Sequence, residues 1–468
     1  MSMPEPYVYV FKTPNNHYVY DVNTNRICRI SSESYRILKN KELYNEELIE
    51  LKNVGLLKEK RVEKYWNPVS CYVDCMLNVR LSYVLLQLTQ QCNLRCNYCL
   101  YSGSYCGMRL HSEKNMNTYI LKETLDFLIN HSAQSKELNI GFYGGEPLIR
   151  MDLINQVFNY MNELCPSRKV NYSMTTNATL LTPSISDSLV KHSVKLKISL
   201  DGPESIHNAN RTFINGKGSY NKIIKNLQYI YTSYPDYYRN NISFNAVYDG
   251  SHLYDDILEF FASNNLLKNN RISLSNINTT FENTLDEHNE MKKDCRLSYL
   301  KNAVLYYYKS FICPEEYRNE LFDSLFSFED LENRLENQFE ELPDKFVRTG
   351  LCIPGIARVF VNTDGEFYLC EKVSEKKEGP YCIGNIKQGF DYKKIINLLN
   401  LENKCNDGCL TCWAFRLCDI CAAKVDIGNS NYEEQLKHRC NALKQQVASR
   451  LRDYCHYMEL KERYEERR

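Results

Sequence analysis

From about residue 81 to about residue 276, short apolar runs alternate with longer amphipathic ones. The runs 81–88, 138–143, 170–174, 195–200, 242–248 and 272–275 read as strands. Between them, 117–131, 151–164, 182–192, 219–232 and 253–263 carry apolar positions at helical spacing. Strand and helix in alternation predict an α/β fold with a parallel sheet and right-handed crossovers. In parallel barrels the ligand residues lie at the C-terminal ends of the strands.

The flanking pattern is different. Residues 7–12, 18–21 and 25–30 read as three strands separated by turns. Ser31-Ser32 then caps a short helix to Leu38, and a second helix covers about 45–51. Strands followed by small helices suggest a winged-helix-like module over residues 1–80. Residues 277–347 are polar and helical, a bridging segment whose charges read as a solvated face. This leaves 81–276 as the parallel-sheet domain and 348–468 as a cysteine-rich C-terminal domain.

Composition narrows the function classes. At 468 residues the chain is long enough for about two to four domains. Lys and Arg number 58, as do Asp and Glu, and the zero net charge argues against a nucleic-acid partner. The first ten residues include Pro4, Glu5 and Pro6 and lack a basic start with an apolar run, so no export signal is expected. No stretch is apolar enough to suggest a membrane span. Twenty cysteines without an export signal point to metal rather than disulfides, in a reducing cytoplasm kept free of oxygen.

Three of those cysteines follow the first strand: Cys92, Cys96 and Cys99, in the order CxxxCxxC. Three thiolates on one loop can hold three irons of a cubane [4Fe–4S] cluster and leave the fourth open, unlike a cluster closed by four cysteines. A zinc site would need a fourth Cys or His in pattern, and none is found there. The motif, with the aromatic Tyr98 before its last Cys, resembles that of the radical SAM enzymes. The resemblance implies a partial (β/α)6 barrel whose open iron binds S-adenosylmethionine and yields a 5′-deoxyadenosyl radical.

The later strand ends extend the resemblance. Strand 138–143 runs into Gly144-Gly145-Glu146-Pro147, like the family motif that holds the methionine amino group. Strand 170–174 leads to Thr175-Thr176-Asn177. Strand 195–200 carries Ser199 and ends in Asp201-Gly202-Pro203, with Arg211 downstream. By resemblance, Asn177, Ser199 and Arg211 approach the ribose and carboxylate of the cofactor. Ala178 stands where the family has Gly, so a different turn is expected there.

Cys352, Gly365, Cys370, Cys409, Cys412, Cys418, Cys421 and Cys440 form a second constellation. Only five residues separate the pairs Cys409/Cys412 and Cys418/Cys421, too few for a zinc ribbon. The block resembles the SPASM extension of radical SAM peptide modifiers, with its last pair one residue short. The resemblance implies two auxiliary [4Fe–4S] clusters. Cys409, Cys412, Cys418 and Cys440 would close one; Cys352, Cys370 and Cys421 would hold the other. The fourth ligand of that other cluster is open, Cys382 or Cys405.

Taken together, the chain resembles radical SAM/SPASM maturases of ribosomally made peptides, of the cysteine-rich, thioether-forming type similar to sactipeptide and ranthipeptide synthases. The resemblance implies a cysteine-containing precursor peptide whose leader docks on the N-terminal module, with flavodoxin or ferredoxin as electron donor. Carbon–carbon crosslinking, epimerisation and anaerobic sulfatase maturation share the same motifs. The motifs name no acid or base, no peptide and no target carbon.

Overall fold

Six parallel strands form the centre of the molecule's large sheet: Tyr83–Thr89, Glu137–Gly144, Lys169–Thr176, Lys195–Ser199, Ile242–Tyr248 and Arg271–Asn276. They lie in sequence order, as the alternating pattern predicts. The helices Thr118–Asn130, Met151–Leu164, Pro183–Lys191, Tyr220–Ser233 and Tyr254–Ser263 connect them. Local chemistry starts these helices: the Asn117 side chain accepts from the Ile120 amide, and the Thr182 side chain from the Ile185 amide, just ahead of Pro183. The computed structural model describes residues 5–42, 45–105, 107–277, 293–312, 320–336, 342–347, 352–356, 358–404, 408–425, 427 and 432–467. Part of the 277–347 stretch lies outside these residues.

The sheet is open. Beyond Tyr83–Thr89 a further parallel strand, Val359–Val361, pairs Val84 with Val359 and Leu86 with Val361. Antiparallel strands Glu366–Tyr368, Cys382–Asn385 and Gly389–Phe390 follow, giving ten strands among the described residues. One face of the sheet is apolar: Val84, Leu86, Ile140, Phe142, Ile198 and Phe244 are buried. Each such side chain contributes roughly 1.5–3 kcal/mol by leaving water. The other face is polar, with Asn139, Ser173, Thr175, Lys197 and Asn245 at least partly exposed.

The chain divides into two compact units that are discontinuous in sequence: Met1–Cys71 with Ser327–Cys352 and Ile396–Arg468, and Tyr72–Phe326 with Ile353–Ile395. The large sheet belongs to the second unit. In the first, antiparallel strands Val8–Lys12, His17–Asp21 and Arg26–Ile30 carry the helix Ser32–Asn40, capped by Ser31. Val19, Ile37, Leu38, Leu48, Leu56 and Leu57 form its core. The carboxylate of Asp21 holds two turns, accepting from the Thr24 and Leu57 amides. The helix Tyr432–Glu465 lies against this sheet through Glu459, which accepts from Thr13, Asn15 and Tyr18.

Candidate functional site

The strand Tyr83–Thr89 delivers the chain to Cys92, and the end of the neighbouring strand packs directly beneath that loop. The Gly145 amide donates to the Thr89 carbonyl at 2.9 Å, and the Glu146 amide to the Gln91 carbonyl at 2.8 Å. A Cβ on Gly144 would stand 2.4 Å from the Thr89 oxygen, and one on Gly145 2.0 Å from the Gln91 oxygen. Glycine is required at both positions because backbone meets backbone there.

Beyond Cys92 the loop forms a short strand, Leu94–Cys96, antiparallel to Arg211–Phe213, with Cys96 opposite Arg211. Tyr98 donates its hydroxyl to Asp201. Arg211 grips the same carboxylate with Nε at 2.9 Å and Nη2 at 3.1 Å, and its guanidinium lies 5.2 Å from the centre of the Tyr98 ring. Arg211 and Asp201 are 8% and 0% exposed, so the pair is desolvated and geometrically fixed. Asp201 also accepts from the Val247 amide, which anchors the clamp to a neighbouring strand. Behind it, the Asp201 amide points at His207 Nδ1 at 3.4 Å, so His207 Nε2 carries the proton toward Ser219, whose hydroxyl donates to the Arg211 carbonyl. Burial and then Arg211 push the His207 pKa down to about 4.

Glu146 is 1% exposed and ties three segments together. It accepts from Thr176 at 2.6 Å, from the Asn177 amide at 2.8 Å and from the Leu148 amide at 3.1 Å. Burial pushes its pKa up to about 7 against the pull of those donors. Asn177 donates to Asn93 at 2.9 Å and stands 4.0 Å from the Cys92 sulfur. Asn93 in turn donates to Thr179. Ala178 keeps the left-handed turn, with φ at 58°, although it has a side chain. Asn226 donates to the Ala178 and Thr179 carbonyls and holds the turn from below. Ser199 is buried at the end of its strand.

The three thiols fit a metal centre by their chemistry. Burial pushes Cys92 up to about 12, with Glu146, Cys96 and Cys99 adding to it, and pushes Cys96 up to about 11. Thiolates that repel one another in a desolvated pocket are donors matched to cationic irons, which deprotonate thiols on ligation. Among the described residues, no three His, Cys, Asp or Glu side chains are grouped for a single ion. Ligands of one tetrahedral ion stand about 4 Å apart, whereas thiolates of a cubane each serve a separate iron. His111 brings Nε2 to 3.7 Å from the Cys99 sulfur. Near it Arg109 covers the Tyr101 ring at 3.5 Å and pairs with Glu375 at 2.8 Å.

In the first unit, Cys409, Cys412, Cys418 and Cys440 line one cavity of 450 Å³ together with Phe415, Ile420 and Leu436. Burial, and then Cys409, Cys418 and Cys412, push the Cys440 thiol up to about 11. Four thiols around one apolar cavity are a donor set for a closed cluster. Tyr9 stacks on Trp413 with ring centres 3.7 Å apart, and Tyr7 donates to the Cys412 carbonyl. Cys352 and Cys421 also belong to this unit, and Cys370 follows the strand Glu366–Tyr368 in the other. Cys382 is buried in a strand, its thiol 3.8 Å from Glu366; Cys405 lies outside the described residues.

Residues 86–287 match the model of the Radical SAM superfamily. They are a radical SAM domain. The chain is 33% identical over 154 residues to an uncharacterized protein of Methanocaldococcus jannaschii, a match covering 33% of this chain and 50% of the relative. It is 30% identical over 202 residues to the radical SAM cyclopropyl synthase TigE of Paramaledivibacter caminithermalis, 40% of each. These matches span half or less of those relatives. A cysteine-type anaerobic sulfatase-maturating enzyme of Clostridium perfringens is 22% identical over 377 residues, 78% of this chain and 95% of its own. The structure of anSMEcpe with bound AdoMet superposes with a TM-score of 0.56 at 20% identity, covering 79% of this chain and 99% of the other. The fold is thus the radical SAM fold, with the partial barrel that the resemblance implied. Asp201, Asn93, Thr176 and Asn226, which the motif reading left out of the site, brace the radical SAM loop. Asp201 and Thr176 had a signal in the sequence, as parts of Asp201-Gly202-Pro203 and Thr175-Thr176-Asn177.

Proposed function

We propose that this chain is a radical SAM peptide maturase that installs thioether crosslinks in a cysteine-containing precursor peptide. The observation that carries the reading is the braced Cys92–Cys99 loop at the C-terminal end of the first parallel strand, inside a radical SAM domain. Cys92, Cys96 and Cys99 would hold a [4Fe–4S] cluster that, with S-adenosylmethionine, supplies a 5′-deoxyadenosyl radical. The chain's part is positioning. Glu146 fixes the Thr176–Asn177 turn, Asn177 fixes Asn93 beside Cys92, and the Asp201–Arg211 clamp fixes Tyr98. Tyr98, the Gly144–Glu146 loop, Asn177, Ser199 and Arg211 then surround the place where the cofactor would lie.

In the first unit, Cys409, Cys412, Cys418 and Cys440 would hold an auxiliary cluster, with Cys352 and Cys421 as expected ligands of another. The N-terminal module would take the leader of the peptide along the strand Arg26–Ile30, which pairs on one side only among the described residues. Flavodoxin or ferredoxin would supply the electron. The setting would be an anaerobic cytoplasm; among the described residues, no helix is long and apolar enough to cross a membrane.

A second reading has its own support. The Clostridium perfringens relative is aligned over 95% of its length, and anSMEcpe has been solved with bound AdoMet and the Cp18Cys peptide. Conversion of a cysteine to formylglycine would use the same radical site. Coexpression with a cysteine-rich peptide encoded beside this chain, followed by mass spectrometry, separates the two. A loss of two hydrogens per crosslink supports thioether formation; replacement of sulfur by oxygen with loss of two hydrogens supports formylglycine. Absence of 5′-deoxyadenosine from the reduced, reconstituted protein with S-adenosylmethionine would reject both.

A further inference from the structure

In a parallel sheet covered by helices on both sides, strands are apolar almost throughout. Here the face that carries Asn139, Ser173, Thr175, Lys197, Ser243 and Asn245 is largely polar. Thr175 is exposed although its strand has neighbours on both sides, so that face opens to water. Across it runs one row set by strand register: Lys197 opposite Ser243, and Ser243 opposite Arg271. Strands are spaced about 4.8 Å apart, so two long cations flank one small residue. Among the described residues, Lys197, Arg271 and Lys372 make no side-chain hydrogen bond or ion pair.

The carboxylates nearby are already taken. Glu371 binds Arg358 at 2.7 Å, Glu375 binds Arg109 at 2.8 Å, and Glu137 binds Lys169 at 2.6 Å. Partial burial, and then Arg271, Lys372 and Arg358, lower the pKa of Lys197 below the ordinary lysine range. The sheet face therefore holds more positive charge than its own acids answer. Lys197 also stands two residues before Ser199, about 7 Å along the strand from the end where the cofactor would lie.

We propose that Lys197 and Arg271, with Lys372 at the rim, bind a carboxylate of the peptide substrate, an acidic side chain close to the residue that reacts. The proposal rests on the peptide-maturase reading and names the substrate feature the site selects. The acid would be oriented by two charge-assisted contacts while the row's Ser243 leaves room for it.

The test uses the reconstituted full-length protein with S-adenosylmethionine and a pair of synthetic cysteine-containing peptides that differ only in Asp or Asn beside the cysteine. The Asp peptide should bind about tenfold more tightly at low salt, and added salt should narrow the difference. Lys197→Gln should abolish the preference, Lys197→Arg should keep it, and Lys372→Glu, at an exposed position, should weaken the Asp peptide selectively. Equal binding of both peptides by the wild type overturns the proposal. So does a Lys197→Gln variant that keeps the preference, or one whose loss is in affinity for S-adenosylmethionine instead, because the carboxylate recognised would then be the cofactor's. Release of 5′-deoxyadenosine by the wild type reports separately on the radical chemistry itself.

Discussion

Gly145 shows how one missing side chain shapes the site. The backbone of its strand end lies so close to Gln91 that an added methyl group would meet the carbonyl oxygen at 2.0 Å. Gly145→Ala should force the two loops apart, destabilise the protein by about 1–3 kcal/mol and lower iron retention after anaerobic reconstitution, measured as iron per chain. Ala178 is the opposite case. It holds φ at 58°, where a Cβ costs roughly 1–2 kcal/mol. Ala178→Gly removes that strain but adds chain entropy to the unfolded state, so a net gain of about 0.5–1 kcal/mol is expected from chemical denaturation. The residues of the Gly144–Glu146 and Cys92–Cys99 motifs were legible from their spacing. The left-handed turn at Ala178 was not: the sequence reading expected a different turn, while Thr176, two residues back, and Asn226, distant in sequence, hold the glycine-like one.

At the scale of elements, alternation of strand and helix gave the six parallel strands to within a residue or two, because apolar spacing reports which face of each element is buried. It could not give Leu94–Cys96 and Arg211–Phe213, three-residue strands with no periodicity of their own. Their pairing exists because Asp201 draws Arg211 and Tyr98 together. Asp201→Asn should leave the Arg211 guanidinium buried without its counter-charge, a loss of about 3–5 kcal/mol. The same variant should shed iron from the Cys92–Cys99 loop while retaining cluster absorption from the C-terminal cysteines, a split readable by iron content and electron paramagnetic resonance. Should it keep its full iron content, the clamp would have no role in holding the loop.

At the scale of the molecule, the two compact units each gather distant parts of the chain. Within the first, Glu459 links the C-terminal helix to the N-terminal sheet. Burial alone would raise its pKa, but hydrogen bonds led by Thr13 and Asn15 outweigh it and hold it at about 2. A carboxylate depressed below its unfolded value of about 4.3 adds stability that is complete above that pH and disappears as the pH falls toward 2. Glu459→Gln should therefore be less stable than the wild type at pH 7 by about 2–3 kcal/mol, and the gap should shrink at pH 3 as urea unfolding is followed. The sequence by itself determined the strand–helix order, the three-thiol loop and the inventory of possible iron ligands, because these depend on spacing along the chain. Tertiary structure decided which donors hold each loop in place and which cations are left facing an open sheet without acids of their own. Those outcomes depend on register and burial between segments hundreds of residues apart, and no local pattern carries that information.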